Sequence, residues 1–271
     1  NLNNSSFSYV ESAKYAFRHY TNNSSSTVYE SNLLANNFSI EGDNYSAQAL
    51  FSASTYHKYH IEINNVKILG ASNLTSMLSY CIFDKPTNLS YIDYSNLNNL
   101  TSFLNGTTMN SYVVFNNIDW SNVTAMSSFL ANSSYDYAYV TDSHKNYTYQ
   151  NKSIYLNGCN FENVTKFTSF FSSSNSNNTI KGITIDIDKT SLTDISSMFA
   201  GTVNKTYTIE NINIENLDCN DVVDMRNLLY HTTGNVFSSA NMQGLNKVED
   251  MTSAFQESNF KEILLPNLTG E

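Results

Sequence analysis

The sequence predicts an α/β repeat solenoid, with a parallel β-sheet on one face and short helices on the other. Two apolar patterns recur together along the 271 residues: a stretch with helical spacing and, upstream of it, a pair of residues spaced by two. The helical stretches number nine, and their first apolar residues lie 23 to 41 positions apart, at 10, 45, 74, 97, 123, 164, 192, 222 and 248. Most of these intervals are typical of proteins built from stacked structural units.

The helical stretch is clearest in two copies, SNVTAMSSFL at 121–130 and ENVTKFTSFF at 162–171. Apolar residues at i, i+3 and i+6 or i+7 lie on one face of a short helix, and a preceding polar residue can cap its first turn. The spacing therefore predicts one short helix in each unit. It also predicts a shared core position, which is occupied by Met77, Met126, Phe167, Ile195, Met225 and Met251.

The pair spaced by two predicts a β-strand, because alternate side chains of a strand lie on the same face. A further apolar residue often stands three positions before the pair, which gives the pattern L-x-x-L-x-L followed by a turn and a helix. This is the skeleton of a leucine-rich repeat. The pairs are Val66 with Ile68, Ile92 with Tyr94, Ile118 with Trp120, Cys159 with Phe161, Ile185 with Ile187, Ile212 with Ile214, and Ala240 with Met242.

The run W-S-N-V-T-x-M-x-x-F, from Trp120 to Phe129, resembles the repeat of BspA-like leucine-rich-repeat surface proteins, including the related repeats of mycoplasma surface lipoproteins. The resemblance extends from about residue 60 to about residue 265 and is poor before it. We therefore expect degenerate leading repeats at 1–59 and a solenoid of about seven units at 60–271, as part of a longer chain. The resemblance implies a secreted or cell-surface protein that is linked to adhesion and to binding of host or matrix.

The outward positions of the strands in such a solenoid form an extended surface that suits a large partner. Asp93 and Asp119 are expected to face each other on adjacent strands about 4.8 Å apart. Three interpretations of this row stay open: a solvated surface, a contact face for a protein or glycan, and a weak cation site. The candidate binding residues of the row are Tyr91, Asp93, Asn117, Asp119, Asn160, Asp186 and Asn213.

The longest interval, which follows Val123, contains a tyrosine-rich insertion at 133–151. Tyr135, Tyr137 and Tyr139 alternate with other residues before a polar turn, which predicts a protruding hairpin. Tyrosine offers a large and fairly rigid contact area with a polar tip, and it is enriched at interfaces. The three tyrosines are therefore candidate binding residues, and packing on the adjacent unit is the alternative.

Composition and motifs argue against several classes of function. The chain has 14 Lys plus Arg against 24 Asp plus Glu, and this net charge of -10 opposes nonspecific binding to nucleic acid. No apolar run approaches the roughly 18 to 20 residues of a membrane helix. No phosphate-binding, nucleophile, zinc-protease or calcium-loop motif is present, so we expect no enzyme, no cofactor and no bound metal.

Together these patterns predict an extracellular, cell-surface binding module, an adhesin that recognises a protein or glycan partner. The alternative is a structural subunit of a surface layer or filament, which associates with other copies through uncapped solenoid ends. Asn-x-Ser/Thr sequons, including those at Asn73, Asn122 and Asn163, leave glycosylation open.

Overall fold

The computed structural model describes residues 1–18, 28–175, 178–239 and 241–266. Ala240, one member of a predicted strand pair, lies outside these described residues. The strands are β1 (Ser6–Phe7), β2 (Tyr29–Leu34), β3 (Ser39–Ser46), β4 (His57–Glu62), β5 (Lys67–Asn73), β6 (Cys81–Phe83), β7 (Thr87–Asn88), β8 (Thr108–Met109), β9 (Tyr112–Asn116), β10 (Tyr137–Thr141), β11 (Ser153–Asn157), β12 (Asn178–Ile187), β13 (Tyr207–Asp218), β14 (Thr232–Ser238), β15 (Met242–Gln243) and β16 (Asn259–Leu264).

The strands form three sheets, none of which closes on itself. A three-stranded sheet has the order β1-β3-β5, and a four-stranded sheet has the order β2-β4-β6-β8. The nine-stranded sheet runs β16-β14-β13-β12-β10-β11-β9-β7, with β15 beside β13. All pairings between these strands are parallel. The prediction of parallel β-structure is therefore confirmed.

The predicted helices are wrong. Within the part of the chain that is described, the single helix is a 3₁₀ turn at Leu245–Lys247. The stretches predicted as helices are consecutive β-turns, in which Phe170 N–H donates to the Phe167 carbonyl at 3.1 Å and Met198 N–H to the Ile195 carbonyl at 3.2 Å. A β-turn spans residues i to i+3, so a run of such turns reproduces the three-residue apolar spacing of a short helix.

A residue with positive φ interrupts each of these stretches. Its φ lies between 53° and 57°, in the left-handed region, which a right-handed helix does not contain. Serine is the commonest occupant. In the turn around Ser128, the N–H groups of Met126, Ser128 and Leu130 donate to the next segment instead of along a helix axis. The nine residues are Tyr15, Ala49, Ser76, Ser102, Ser128, Ser169, Ser197, Asn227 and Ser253.

Backbone hydrogen bonds of the turns therefore run between segments. The N–H of Ser128 donates to the carbonyl of Thr168 at 2.8 Å, and the N–H of Ser169 donates to the carbonyl of Ser196 at 2.9 Å. Isolated helices shorter than about 12 residues are marginal in water, whereas a ladder between stacked segments satisfies the same groups. Stacking thus overrides the local helical pattern.

One apolar column runs through the stacked turns, two residues before each left-handed residue. Its members are Ala13, Ala47, Leu74, Leu100, Met126, Phe167, Ile195, Met225 and Met251. The predicted burial of Met126, Phe167, Ile195 and Met225 is confirmed, since none is more than 5% exposed. Met77 is also buried, but it lies in the next column with Phe103 and Phe129. Met251 is 52% exposed, so its predicted burial is wrong, because no described segment stacks above it.

Stacked asparagines line the turns between the first strands. The side-chain amide of Asn65 donates to Asn37 at 3.0 Å, and that of Asn37 donates to Asn4 at 3.1 Å. Such ladders satisfy amide groups between identical residues of successive segments. Within the described residues, no helix is long and apolar enough to cross a membrane.

Candidate binding surface

The insertion at 133–151 adds a strand to the nine-stranded sheet. β10 pairs in parallel with β11 on one side and β12 on the other, and Tyr139 lies opposite Tyr155 of β11. The residues between the tyrosines, Ala138 and Val140, are buried in the core. The predicted protruding hairpin is therefore wrong, because the alternating pattern belongs to one strand with an apolar inner face.

Residues 142–152, termed the strap, connect β10 to β11 across the outer face of this sheet. Burial alternates along the strap: Lys145, Tyr147 and Tyr149 are half-buried, and the residues between them are exposed. The side chain of Asn157 in β11 accepts from the N–H of Lys145 at 2.9 Å and donates to its carbonyl at 3.0 Å. The strap thus covers outward side chains that the sheet alone would expose.

Tyrosine rings pack together under and beside the strap. Tyr139 and Tyr155 stack with ring centroids 4.9 Å apart and 8° between planes. Tyr147 lies 4.9 Å from Tyr139 and 5.2 Å from Tyr155, and Tyr149 lies 4.8 Å from Tyr155. Burial raises the pKa of Tyr139, Tyr147 and Tyr155, so their hydroxyls stay protonated near neutral pH. This tyrosine cluster consists of Tyr112, Tyr137, Tyr139, Tyr147, Tyr149 and Tyr155.

Tyr135 does not belong to the tyrosine cluster. It is 2% exposed and packs in the main core, where burial raises the pKa of its hydroxyl. That hydroxyl has no hydrogen-bond partner among the described residues. The prediction that Tyr135 contacts a partner is wrong, because the residue precedes β10 and its ring is enclosed by the core.

Lys145 joins the strap to two strands of the sheet. Its ammonium lies 2.5 Å from a carboxylate oxygen of Asp186 in β12 and 3.0 Å from one of Glu215 in β13. Burial alone would lower the pKa of Lys145, but the bonds to the two carboxylates outweigh it and raise the pKa. The ion pairs fix the start of the strap over β12 and β13.

β12 and β13 extend the outer face beyond the strap with polar side chains. Thr184 lies opposite Asn213 in the sheet register. Asn213 is exposed, and its amide donates to Glu215 at 3.3 Å. The tyrosine cluster and this polar row are therefore neighbours on one face. Four of the candidate binding residues lie there: Tyr137, Tyr139, Asp186 and Asn213.

Asn117, Asp119 and Asn160 lie just beyond the ends of β9 and β11 instead of within strands. Asp119 and Asn160 are register partners, and the Asn160 amide donates to the Asp119 carboxylate at 3.2 Å. The N–H and hydroxyl of Ser121 and the Asn160 amide lower the pKa of Asp119. The Asn117 side chain lies 3.2 Å from the imidazole of His144 in the strap, so these residues border the outer face.

Asp93 lines the same cleft as Asp119. Each of the two carboxylates accepts hydrogen bonds from other residues. Asp93 accepts from the N–H groups of Gly70 at 3.2 Å and Ser95 at 3.0 Å. Burial alone would raise the pKa of Asp93, but these bonds outweigh it and lower the pKa. Tyr91 stands 58% exposed in the preceding turn. In the described residues, no three His, Cys, Asp or Glu side chains converge on a metal position.

A second polar cluster, on the four-stranded sheet, has no signal in the sequence. His60 of β4 contacts the carboxylates of Glu30 in β2 at 3.0 Å and Asp84 after β6 at 2.5 Å. The carboxylates of Glu30 and Asp84 accept hydrogen bonds from the imidazole and raise the pKa of His60. Asn110 and His60 lower the pKa of Asp84. The contact depends on strand register, which spacing along the chain does not specify.

Compared with known proteins, the chain matches no family model, no curated protein and no solved structure. Its function has to be inferred from the chemistry of its surfaces.

Proposed function

We propose that the chain is an extracellular, cell-surface binding module, an adhesin that recognises a protein or glycan through the outer face of the nine-stranded sheet. The supporting observation is the placement of the tyrosine cluster beside the polar row of β12 and β13. The resemblance of Trp120 to Phe129 to BspA-like repeats supports the cell-surface location. The proposed role is binding, without catalysis.

The aromatic part of this face suits recognition because its rings are held in place. Tyr137 and Tyr139 are half-buried, and their rings stack with centroids 6.3 Å apart. A ring that is already packed loses little conformational freedom when a partner binds. The part of each ring that stays exposed offers apolar contact to a sugar ring or to a peptide side chain.

The polar row supplies hydrogen-bonding groups next to these rings. Thr184 carries a hydroxyl, Asn213 an amide and Glu215 a carboxylate, and together they donate and accept. Such groups can bond the hydroxyls of a glycan or the backbone of a peptide. The net charge of -10 favours a neutral or basic partner over a polyanion.

Binding to arrays of glycans and of extracellular-matrix proteins, together with adhesion to cultured cells, tests the proposal. The double variant Tyr137→Ser with Asn213→Lys removes one ring and adds a long charged side chain on the outer face. It leaves the inward residues of both strands unchanged. We expect bound protein to fall about tenfold or more, the loss typical of an interface hot spot.

The matched control is Tyr56→Ser with Asn246→Lys, since both residues are exposed and lie outside the outer face. This variant should bind like the native chain. The proposal is wrong if the native chain binds no glycan, matrix protein or cell, or if both double variants lose binding equally.

A further inference from the structure

An open cavity, termed the polar cavity, lies on the outer face where β13, β14 and β16 begin. Thr208 and Glu210 of β13 point outward there, because they alternate with the buried residues Tyr207 and Ile209. The volume of the cavity is about 350 Å³, within the range of small-molecule sites. Besides Gly234, its lining consists of six polar residues: Thr208, Glu210, Thr233, Asn235, Asn259 and Lys261.

The polar cavity offers both donors and acceptors of hydrogen bonds. The hydroxyls of Thr208 and Thr233 lie 3.1 Å apart. The ammonium of Lys261 donates to the side-chain oxygen of Asn235 at 2.8 Å, and the carboxylate of Glu210 adds an acceptor. Sugar hydroxyls both donate and accept, so they suit this mixed lining. An apolar ligand would leave the same groups without partners, which costs free energy.

Strand register connects the polar cavity with the tyrosine cluster. Tyr137 of β10, Gly182 of β12, Asn211 of β13 and Val236 of β14 are successive register partners. Neighbouring strands lie about 4.8 Å apart, so the backbone of Val236, next to Asn235 of the cavity, is about 14 Å from that of Tyr137. A ligand that contacts both places must therefore be elongated.

Gly182 lets the ring of Tyr137 lie over β12. A Cβ atom at Gly182 would be 3.1 Å from a ring carbon of Tyr137 and 4.0 Å from the carbonyl oxygen of Asn211. Asn211 is exposed, and its side-chain amide donates to the Lys181 carbonyl at 3.3 Å. An aromatic ring, an amide and the polar cavity thus follow one another across the strands.

The charges on this part of the outer face disfavour an anionic ligand. Glu210 and Lys261 give the polar cavity one charge of each sign. Glu262, which is exposed, adds a carboxylate at the register partner of Val236, and the Glu215 side chain is 44% exposed. This excess of carboxylates repels sulfate and sialic acid groups. A neutral chain avoids the repulsion.

We infer that the outer face binds a neutral oligosaccharide that lies across the strands. One sugar packs on the ring of Tyr137, the chain passes over Asn211, and hydroxyls of a later sugar bond to Thr208, Thr233 and Asn235 in the polar cavity. This inference rests on the proposed function and names the class of its ligand.

Isothermal titration calorimetry with neutral oligosaccharides of increasing length tests the inference. The probes are oligosaccharides of glucose, galactose, mannose and N-acetylglucosamine, from two to six sugars long. In at least one series, the affinity should rise about tenfold or more with length and then level off. A short chain contacts either the ring or the cavity, whereas a long chain contacts both. A sulfated form of the same oligosaccharide should bind about tenfold more weakly at low salt.

The double variant Thr208→Val with Thr233→Val tests the polar cavity. Valine keeps the branched shape that suits a strand, and the change removes both partners of one hydrogen bond, which has little effect on stability. We expect the longest oligosaccharide to bind about tenfold more weakly than it binds the native chain. The gain in affinity with length should disappear.

The matched control is Thr75→Val with Thr101→Val, at two half-buried threonines of the stacked turns, outside the outer face. It should bind like the native chain. Urea midpoints of both double variants check that they are folded. Equal losses of affinity in the two double variants would overturn the inference.

The same measurements separate this inference from the proposed function. Glycan binding that Tyr137→Ser with Asn213→Lys abolishes and Thr208→Val with Thr233→Val retains in full would overturn the inference alone. Binding to an unglycosylated matrix protein, without binding to any neutral oligosaccharide, would do the same. A native chain that binds no glycan, matrix protein or cell would overturn both.

Discussion

The rings of Tyr139 and Tyr155 stack at 4.9 Å because the parallel register of β10 and β11 sets the two residues directly opposite each other. Tyr155 points out of the sheet, yet it is fully buried, because Tyr147 and Tyr149 of the strap pack against it. The outer face therefore has a small aromatic core of its own. This core links the longest insertion of the chain to the surface that we propose for binding.

Tyr155→Ala should destabilise the protein by about 3 to 5 kcal/mol, the range for removing a fully buried aromatic ring. Urea denaturation measures the loss as a lower midpoint. Tyr91→Ala is the control, because Tyr91 is 58% exposed and should change the free energy of unfolding by about 0.5 kcal/mol or less. Equal shifts in the two variants would show that the strap does not cover Tyr155 in solution.

Lys145→Ala should loosen the strap without unfolding the sheets. Its side chain is 33% exposed, so the two ion pairs contribute about 1 kcal/mol or less to the free energy of unfolding. Hydrogen exchange should become faster in residues 143–150, while the amides of β12 and β13 keep their protection. Lys247→Ala removes an ion pair whose Lys side chain is 61% exposed and should leave the strap unchanged. Unaltered exchange in the strap of Lys145→Ala would contradict the anchoring role.

Met126→Ala and Met251→Ala compare two positions of one column. Met126 is fully buried, so its truncation should cost about 2 to 5 kcal/mol through lost contacts and a cavity. Met251 is 52% exposed, so the same change should cost about 0.5 kcal/mol or less. Urea denaturation midpoints of the two variants measure both losses. A large loss for Met251→Ala would indicate that a further segment covers it.

His60 should make stability depend on pH. Hydrogen bonds that its imidazole donates to the carboxylates of Glu30 and Asp84 raise its pKa above the usual 6.5. The protonated ring therefore stabilises the folded state fully below about pH 6.5, and this contribution is lost as pH rises through the higher folded-state pKa. As pH rises from about 6.5 through the folded-state pKa of His60, the melting temperature of the native chain should fall more than that of His60→Gln. His144→Gln, at an exposed histidine, should retain the native profile, and parallel profiles for native and His60→Gln would rule out the effect.

The apolar spacing of the sequence is sufficient to identify most of the core. It places Met126, Phe167, Ile195 and Met225 inside, because the same three-residue period holds whether a stretch folds as a helix or as consecutive turns. It cannot distinguish those two structures, because both bury residues i and i+3. The choice depends on the positive φ of residues such as Ser128 and on carbonyls of a neighbouring segment, such as that of Thr168.

The sequence pattern predicts the surface contacts less well than the core, because these contacts join segments that are distant in the sequence. Asp186 and Asn213 share the outer face with Tyr137 and Tyr139, as alternation along a strand can indicate. The strap is joined to these strands by Lys145, which contacts Asp186, 41 residues later in the sequence, and Glu215, 70 residues later. The local pattern is enough to predict which apolar side chains are buried, because an apolar side chain can pack against any apolar neighbour. Hydrogen bonds, ion pairs and ring stacking need a particular partner at a particular distance, and only the stacking of distant segments supplies it.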